Sequence, residues 1–512
     1  MSIINKKIQI ASLIMMASVF LSRIIGLLRE VVIAYIGGIG AGVDAYQIAF
    51  VIPEILNHIV ASGFLSVTFI PIFSRYIAKD QEEEAWKIFS VILTTFGTIL
   101  LAFITLTIIL SPFLIDLFAP GLSDPAVRNS AIKMTKIIIP AQFFFFLGGL
   151  LMAVQFAKGQ FFFPALAPLL YNIGIISGGI CLSRICHMEG FSWGVLFGAF
   201  AGNFLIQYFG AKKAGMKFYF IFDIKHPELK KYVLLTLPLM LGLTMTFSTE
   251  IFLKLFGSFL PEGSIAALNY SLRVMFILVG LFGQAVGTAS FPFLTDLVVR
   301  NKISEMNILL NETLKKYISI VIPFSILFIV LRHEIIYILF QRGRFDQNAT
   351  ELTSGIMIYM MIGTFAFAAQ TVVVRGYYAM QNTIFPTIFG SIAVLLSIPV
   401  YIYGLKTMGA NGVGLAISLS AIMQVIILFE LWSRKNKNSL KKEVYYTFLK
   451  IIIFSIPLGI FLEFLKNKCY LFDYYNPFIM AICISIIIGI VFLAIITIIY
   501  KYLFKEIDII KI

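Results

Sequence analysis

Apolar runs of roughly 18 or more residues recur along the whole of this chain, each long enough to cross a hydrocarbon core of about 30 Å as a helix. No segment between them is long enough for a sizeable soluble domain. With 60% hydrophobic and 13% charged residues among 512, and a mean hydropathy of +0.95, the composition lies well outside that of soluble globular chains. The pattern predicts an all-α polytopic membrane protein of about 14 transmembrane helices. They fall near 9–36, 45–74, 87–111, 131–157, 164–184, 192–211, 231–258, 264–294, 315–331, 352–379, 384–405, 411–433, 445–465 and 477–503. Lys6 and Lys7 before the first run resemble a signal peptide. The run continues past Arg23 without a small-residue cleavage site, so it reads as a retained helix.

A formal charge of +14 raises the question of a nucleic-acid partner, and the placement of the 40 Lys and Arg residues excludes one. Roughly two dozen fall in alternate loops on one side, against roughly ten on the other, which is the positive-inside pattern. An even helix count then puts both termini in the cytoplasm. The longest polar connection, Lys212 to Lys231, carries six lysines together with Phe218 and Tyr219. It suits a cytoplasmic membrane surface, where basic segments meet anionic lipid. Cys181, Cys186, Cys469 and Cys483 lack metal-ligand spacing and read as apolar packing residues.

Sliding the first half along the second by about 221 residues aligns landmarks in a shared order. Pro71-Ile72-Phe73-Ser74 falls on Pro292-Phe293-Leu294-Thr295, and Phe163-Pro164 on Phe385-Pro386; Gly194-Val195 matches Gly412-Val413 at a slightly smaller shift. The spacing favours two pseudo-symmetric six-helix lobes, 1–212 and 231–434. A basic connection, 213–230, joins them, and two extra helices with a tail occupy 435–512. Six is even, so both lobes enter from the same side as a parallel repeat, with a substrate cleft expected between them.

Once loop residues are set aside, five cations remain at membrane depth: Arg23, Arg29, Lys254, Arg273 and Arg375. Each costs about 2.5 to 3.5 kcal/mol if it faces lipid, so the set must line a wet cavity or be paired. Glu30, Glu54 and Glu250 are the candidate partners, and Glu250 to Lys254 has the i to i+4 spacing of a helical ion pair. Arg23 and Arg29 lie about 9 Å apart along one helix on partly different faces. Either one pairs locally while the other faces the cavity. The excess of cations predicts an anionic substrate, and guanidinium forks suit phosphate. An acidic head on a long apolar tail would explain a site inside a bilayer.

Weaker features have plainer readings. Gly194, Gly198 and Gly202 form a small-residue face for close helix packing. Asp44 opens the second helix as its N-cap, with a functional role the alternative. His58 reads as a hydrogen-bonded helix residue rather than a proton carrier. Glu82 to Glu84 precede a helix, where negative charge suits its dipole. Arg342 and Arg344, in an outer loop, read as solvated.

Leu21-Ser22-Arg23-Ile24-Ile25-Gly26-Leu27-Leu28-Arg29-Glu30, Asp44-Ala45-Tyr46 with Ala49-Phe50 and Pro53, and Phe69-Ile70-Pro71 resemble the opening signature of the MurJ (MviN) family of lipid II flippases. Leu268-Asn269-Tyr270 with Arg273, Phe340-Gln341-Arg342-Gly343-Arg344-Phe345 and Gly376-Tyr377-Tyr378-Ala379-Met380-Gln381-Asn382 are similar to its later motifs. The resemblance covers about the first 430 residues and implies the multidrug/oligosaccharidyl-lipid/polysaccharide exporter fold. It further implies two C-terminal helices that form a lipid-tail groove. The implied activity is flipping of undecaprenyl-diphosphate-linked peptidoglycan precursor from the inner to the outer leaflet by alternating access, for cell-wall synthesis and cell shape. By the same resemblance Arg23, Arg29 and Arg273 are diphosphate-binding cavity residues and Asp44 lies near the outer gate. Glu30, Asn57, His58, Glu250, Lys254 and Arg375 complete the candidate gate and cavity set. The chain departs from the family at Asn57-His58, where a basic pair is usual, at Ser62 within Ala61-Ser62-Gly63, and at Phe276.

The expected function is thus a lipid II flippase. Another lipid-linked oligosaccharide as cargo, or a multidrug-type small-molecule exporter, are the alternatives. A membrane enzyme acting on polyprenyl phosphates would need adjacent Mg²⁺-binding aspartates, an acyltransfer His-Asp pair or a nucleophile elbow, and the sequence has none of these. No cofactor or metal is expected, and coupling to membrane potential or an ion is left open. The expected partners are the lipid-linked glycan and membrane lipids, with the protein acting as a monomer.

Overall fold

The computed structural model describes residues 3–57, 64–241, 244–471 and 476–503, and all regular elements among them are helical. Ten described helices are long and apolar enough to cross a bilayer. A pair bent by 44°, Gln347–Met361 with Thr364–Ala379, makes eleven. The 52-residue helix Ile384–Lys435 is two passes: Gly409 stands at φ 58°, ψ −128°, outside the helical region, and the chain folds back there. A Cβ on Gly404 would lie 2.6 Å from the carbonyl oxygen of Gly412, so the turn closes only around glycines. The expected second and seventh segments are helical over their described residues, at Ala41–Ala49, Val51–Leu56 and Phe64–Ile77, then Pro227–Leu241 and Thr244–Gly257. This element order accommodates the fourteen expected segments.

Helices begin earlier than hydropathy predicts. Those expected near 87, 131 and 315 start at Glu82, Pro125 and Ile303. Hydropathy registers only the stretch that must shed water, whereas the polar first turns carry their own start signals. Asp124 accepts from the Ala126 N–H ahead of Pro125, and the acidic Glu82, Glu83 and Glu84 occupy a first turn. The second segment is also broken where one continuous helix was expected. Pro53 has no N–H and its ring crowds the carbonyl four residues back, which is Ala49, the last residue before the break. The Ala49 carbonyl instead accepts from the Thr135 hydroxyl at 3.3 Å. At the 361–364 bend, Ser418 donates to the carbonyls of Tyr359 (2.7 Å) and Met360 (3.0 Å) and accepts from the Gly363 N–H at 3.0 Å.

Cα packing divides the chain into two units, 1–263 and 264–512, and the helices between 227 and 257 pack in the first. Their internal layouts repeat. Helices start at Pro125 and Gln347, each after an aspartate N-cap, and end at Ala157 and Ala379; the next begin at Phe162 and Ile384. Each of these matched positions is offset by 222 residues.

In the first unit, Phe162–Cys186 and Glu189–Ala199 pack backbone to backbone along the expected glycine face. A Cβ on Gly178 would meet the Gly194 Cα at 2.4 Å, and one on Gly174 the Gly198 Cα at 2.4 Å. In the second unit the last two helices, Lys441–Cys469 and Pro477–Leu503, join Ile303–Val330 around Leu458, Leu462, Ile488 and Phe492, with the Phe324 and Phe492 rings 5.0 Å apart. The four cysteines are free thiols.

Candidate functional site

The first helix, Ile3–Gly37, carries both of its arginines at hydrocarbon depth and treats them differently. Arg23 lies on an exposed face. Arg29, six residues on, turns inward, donating to Glu30 at 2.5 Å and to Asn172 Oδ1 on the Phe162–Cys186 helix at 3.1 Å. Arg29 thus pairs locally, as one of the two arrangements the spacing allowed has it. Glu30 is 4% exposed, so its carboxylate depends on that guanidinium for charge balance. Asn172 was missed in the sequence because its partner is 143 positions away. Its amide is oriented by its own backbone: Nδ2 donates to the Pro168 carbonyl at 2.9 Å, which turns Oδ1 toward Arg29.

A second ionic group joins Val51–Leu56 to Thr244–Gly257. Lys254 is 1% exposed and donates to Glu54 at 2.7 Å, while Glu250, the partner expected from helical spacing, stands at 3.9 Å. The i to i+4 pair is thus the looser of the two contacts. Its geometry along one helix is set by rotamers, whereas Glu54 comes from another helix and completes a hydrogen bond. Asn57, one turn beyond Glu54, is half-buried; His58, Ala61, Ser62 and Gly63 lie outside the described residues.

Asp44 is not an N-cap. The helix starts at Ala41 after Gly40, and Asp44 sits in its first turn, buried, accepting from the Gly263 N–H at 2.6 Å. Glu262 answers by accepting from the Ala41 N–H at 2.6 Å. The 261–263 loop and this helix start thus satisfy each other's backbone donors. Gly263 stands at φ +86° with the Ile39 carbonyl oxygen 2.0 Å from where a Cβ would be, so only glycine fits. Asp44→Ala leaves a buried N–H unanswered and is expected to cost about 1 to 3 kcal/mol, measured as a lowered unfolding midpoint of the purified protein.

In the second unit Arg273 is half-buried on Ser264–Leu278, and Arg375 is half-buried on Thr364–Ala379. The Ser264–Leu278 helix is anchored by Ser271 donating to the Thr353 carbonyl at 2.8 Å and by Tyr270 packing on Phe340 and Phe345 at 5.0 and 5.5 Å. Phe276, where an acidic residue is usual, packs edge-on against Phe367 at 5.7 Å. Beside Lys254, a further buried cation escaped the sequence reading. Lys466 is 5% exposed, donates to the Val330 carbonyl at 2.6 Å and pairs with Glu463 at 3.0 Å. Only its place near the end of a helix marked it as a loop charge. Arg342, read as solvated, places its guanidinium over the Phe478 ring at 5.7 Å.

An apolar cavity of about 390 Å³ opens among four helices of this unit. Ile322, Phe365, Val425, Phe448 and Ile452 are among its lining.

Comparisons with known proteins identify the family and the fold. The profile of the family described as "Lipid II flippase MurJ" matches residues 33–471. Similar curated proteins include the "Probable lipid II flippase MurJ" of Buchnera aphidicola subsp. Baizongia pistaciae, 28% identical over 80% of each chain. That of Thermotoga maritima is 28% identical, with 88% of this chain and 89% of the relative covered. Among solved structures, one titled "Lipid II flippase MurJ, inward closed conformation" superposes with a TM-score of 0.76 at 28% identity, covering 96% of this chain and all of the other. An inward-facing multidrug resistance MATE family transporter of the MOP superfamily shares the fold, with a TM-score of 0.63 at 17% identity over 82% of this chain and 96% of its own. This multi-pass membrane protein, a transporter and not an enzyme, therefore belongs to the MurJ family of lipid II flippases.

Proposed function

We propose that this protein moves lipid II, the polyprenyl-diphosphate-linked peptidoglycan precursor, from the inner to the outer leaflet by alternating access, with Arg23, Arg29 and Arg273 as diphosphate ligands. The observation that carries the assignment of ligands is Arg29. A guanidinium is held at membrane depth by a buried carboxylate and an oriented amide, so its position is set before any anion arrives. The apolar cavity in the second unit supports the reading, since a polyprenyl tail needs a dry surface while its head crosses. Asp44, Glu54, Glu250, Lys254 and Arg375 take structural or gating roles around that site.

The positive-inside pattern supports an N-in, C-in orientation in the bacterial inner membrane, and the protein acts as a monomer. No cofactor is needed. Carrying a diphosphate outward moves negative charge down an inside-negative potential, worth about 2.3 kcal/mol per charge at 100 mV, so the potential itself can supply the driving force. Depletion of the protein should strand lipid II in the inner leaflet, and unchanged lipid II at the outer leaflet would refute the assignment. Accumulation of a different lipid-linked glycan on depletion would favour another cargo.

A further inference from the structure

The connection between Lys213 and Pro227 is neither helix nor free loop. It runs along the helix that begins at Glu82, clamped by three hydroxyls, with half-buried and exposed residues alternating from Phe218 to Ile224. Ser90 Oγ accepts from the Tyr219 N–H at 3.0 Å, Thr95 Oγ1 accepts from the Asp223 N–H at 3.0 Å, and Thr94 donates to the Ile221 carbonyl. Thr94 and Thr95 sit in a π-helical turn, Ile92–Phe96, whose extra residue lets adjacent threonines address the same strand.

Because side chains alternate along an extended segment, holding Tyr219, Ile221 and Asp223 against the helix forces Phe218, Phe220, Phe222 and Ile224 outward. They are 49, 85, 53 and 62% exposed. A segment lying on a water-facing surface turns its polar side outward, and this one turns its apolar side. Lys212, Lys213, Lys217 and Lys225 flank that row and are exposed.

The depth of the clamp follows from the same helix. Exposed apolar residues Ile99, Phe103, Leu106, Ile109 and Phe113 mark its lipid-facing stretch, closed at the far end by Asp116, which pairs with Arg128 at 2.6 Å. Counting back about 30 Å of hydrocarbon from Asp116, at about 1.5 Å per residue, ends near Phe96. The strap is therefore pinned at the boundary between acyl chains and headgroups.

We propose that residues 216–225 form a lipid-binding strap: the phenylalanines enter the acyl boundary and the flanking lysines bind the phosphates of anionic phospholipids, which concentrate at this face of the transporter. Aromatic rings favour that interface, and each lysine near an anionic surface raises lipid affinity by roughly fivefold.

The test uses the full-length F220W variant, purified and reconstituted in vesicles, with the wild-type protein measured in parallel to subtract its three native tryptophans. The added indole should be quenched by lipids brominated near the glycerol end more than by lipids brominated at the chain end. With equal amounts of brominated phosphatidylglycerol and brominated phosphatidylcholine tried separately, the anionic lipid should quench several-fold more efficiently. Adding Lys212→Gln, Lys213→Gln, Lys217→Gln and Lys225→Gln, all at exposed positions, should bring that ratio to about one. Quenching by neither lipid would show that the strap stands off the membrane and overturn the proposal. Equal quenching by both in the variant that keeps its lysines would overturn the anionic preference.

Discussion

Replacing Arg29 by alanine is expected to reduce lipid II flipping by about two to four orders of magnitude. Two charge-assisted hydrogen bonds to a diphosphate, at about 1.5 to 3 kcal/mol each, account for a loss of that size. The same substitution also removes the guanidinium paired at 2.5 Å with Glu30, which is 4% exposed. Losing one member of such a pair costs about 3 to 5 kcal/mol of stability. The two effects separate in the double variant Arg29→Ala/Glu30→Gln, which removes the carboxylate charge as well. Its unfolding midpoint should return toward wild type while flipping, followed as outer-leaflet lipid II in complemented depletion cells, stays lost. Arg29→Lys keeps the charge without the fork and should fall between the two. Wild-type flipping by the double variant would end the role assigned to Arg29.

Lys254→Met should be strongly damaging for stability. The ammonium is nearly fully buried and balances two carboxylates on different helices, Glu54 at 2.7 Å and Glu250 at 3.9 Å. Its removal takes away the cation the two carboxylates share, for a loss of about 3 to 5 kcal/mol. The distances rank the rescues. Adding Glu54→Gln should recover most of the loss, and adding Glu250→Gln distinctly less, because the coupling energy of a charge pair falls with separation. Thermal unfolding of the four proteins in lipid nanodiscs measures the cycle. Equal rescue by the two glutamines would mean that the two contacts are equally strong, and greater rescue by Glu250→Gln that the helical i to i+4 pair is the stronger.

What could be read from residues alone follows a consistent physical line. Apolar runs, charge asymmetry and the offset between halves are properties of short windows or of whole-chain periodicity, and the helices, the family and the 222-residue repeat of element bounds are where those properties pointed. Helix starts at Glu82, Pro125 and Ile303 were placed late because a hydropathy window sees the lipid-facing stretch and not the polar turns that precede it. The break after Ala49 was legible in principle, since Pro53 lies four residues on, but a hydropathy reading gives proline no more weight than any small residue.

By itself, then, the sequence determined that this is a helical membrane transporter with cations at hydrocarbon depth, because the cost of burying charge in lipid is so large that its placement is informative residue by residue. Only the tertiary structure decided how those charges are balanced. Arg29 leans on Asn172, Lys254 prefers Glu54 over the glutamate one turn away, Asp44 holds the Gly263 amide, and three hydroxyls clamp a strap that presents phenylalanines outward. Hydrogen bonds and ion pairs reward ångström-scale approach between groups up to 221 positions apart, and no local pattern encodes which distant donor arrives at which acceptor.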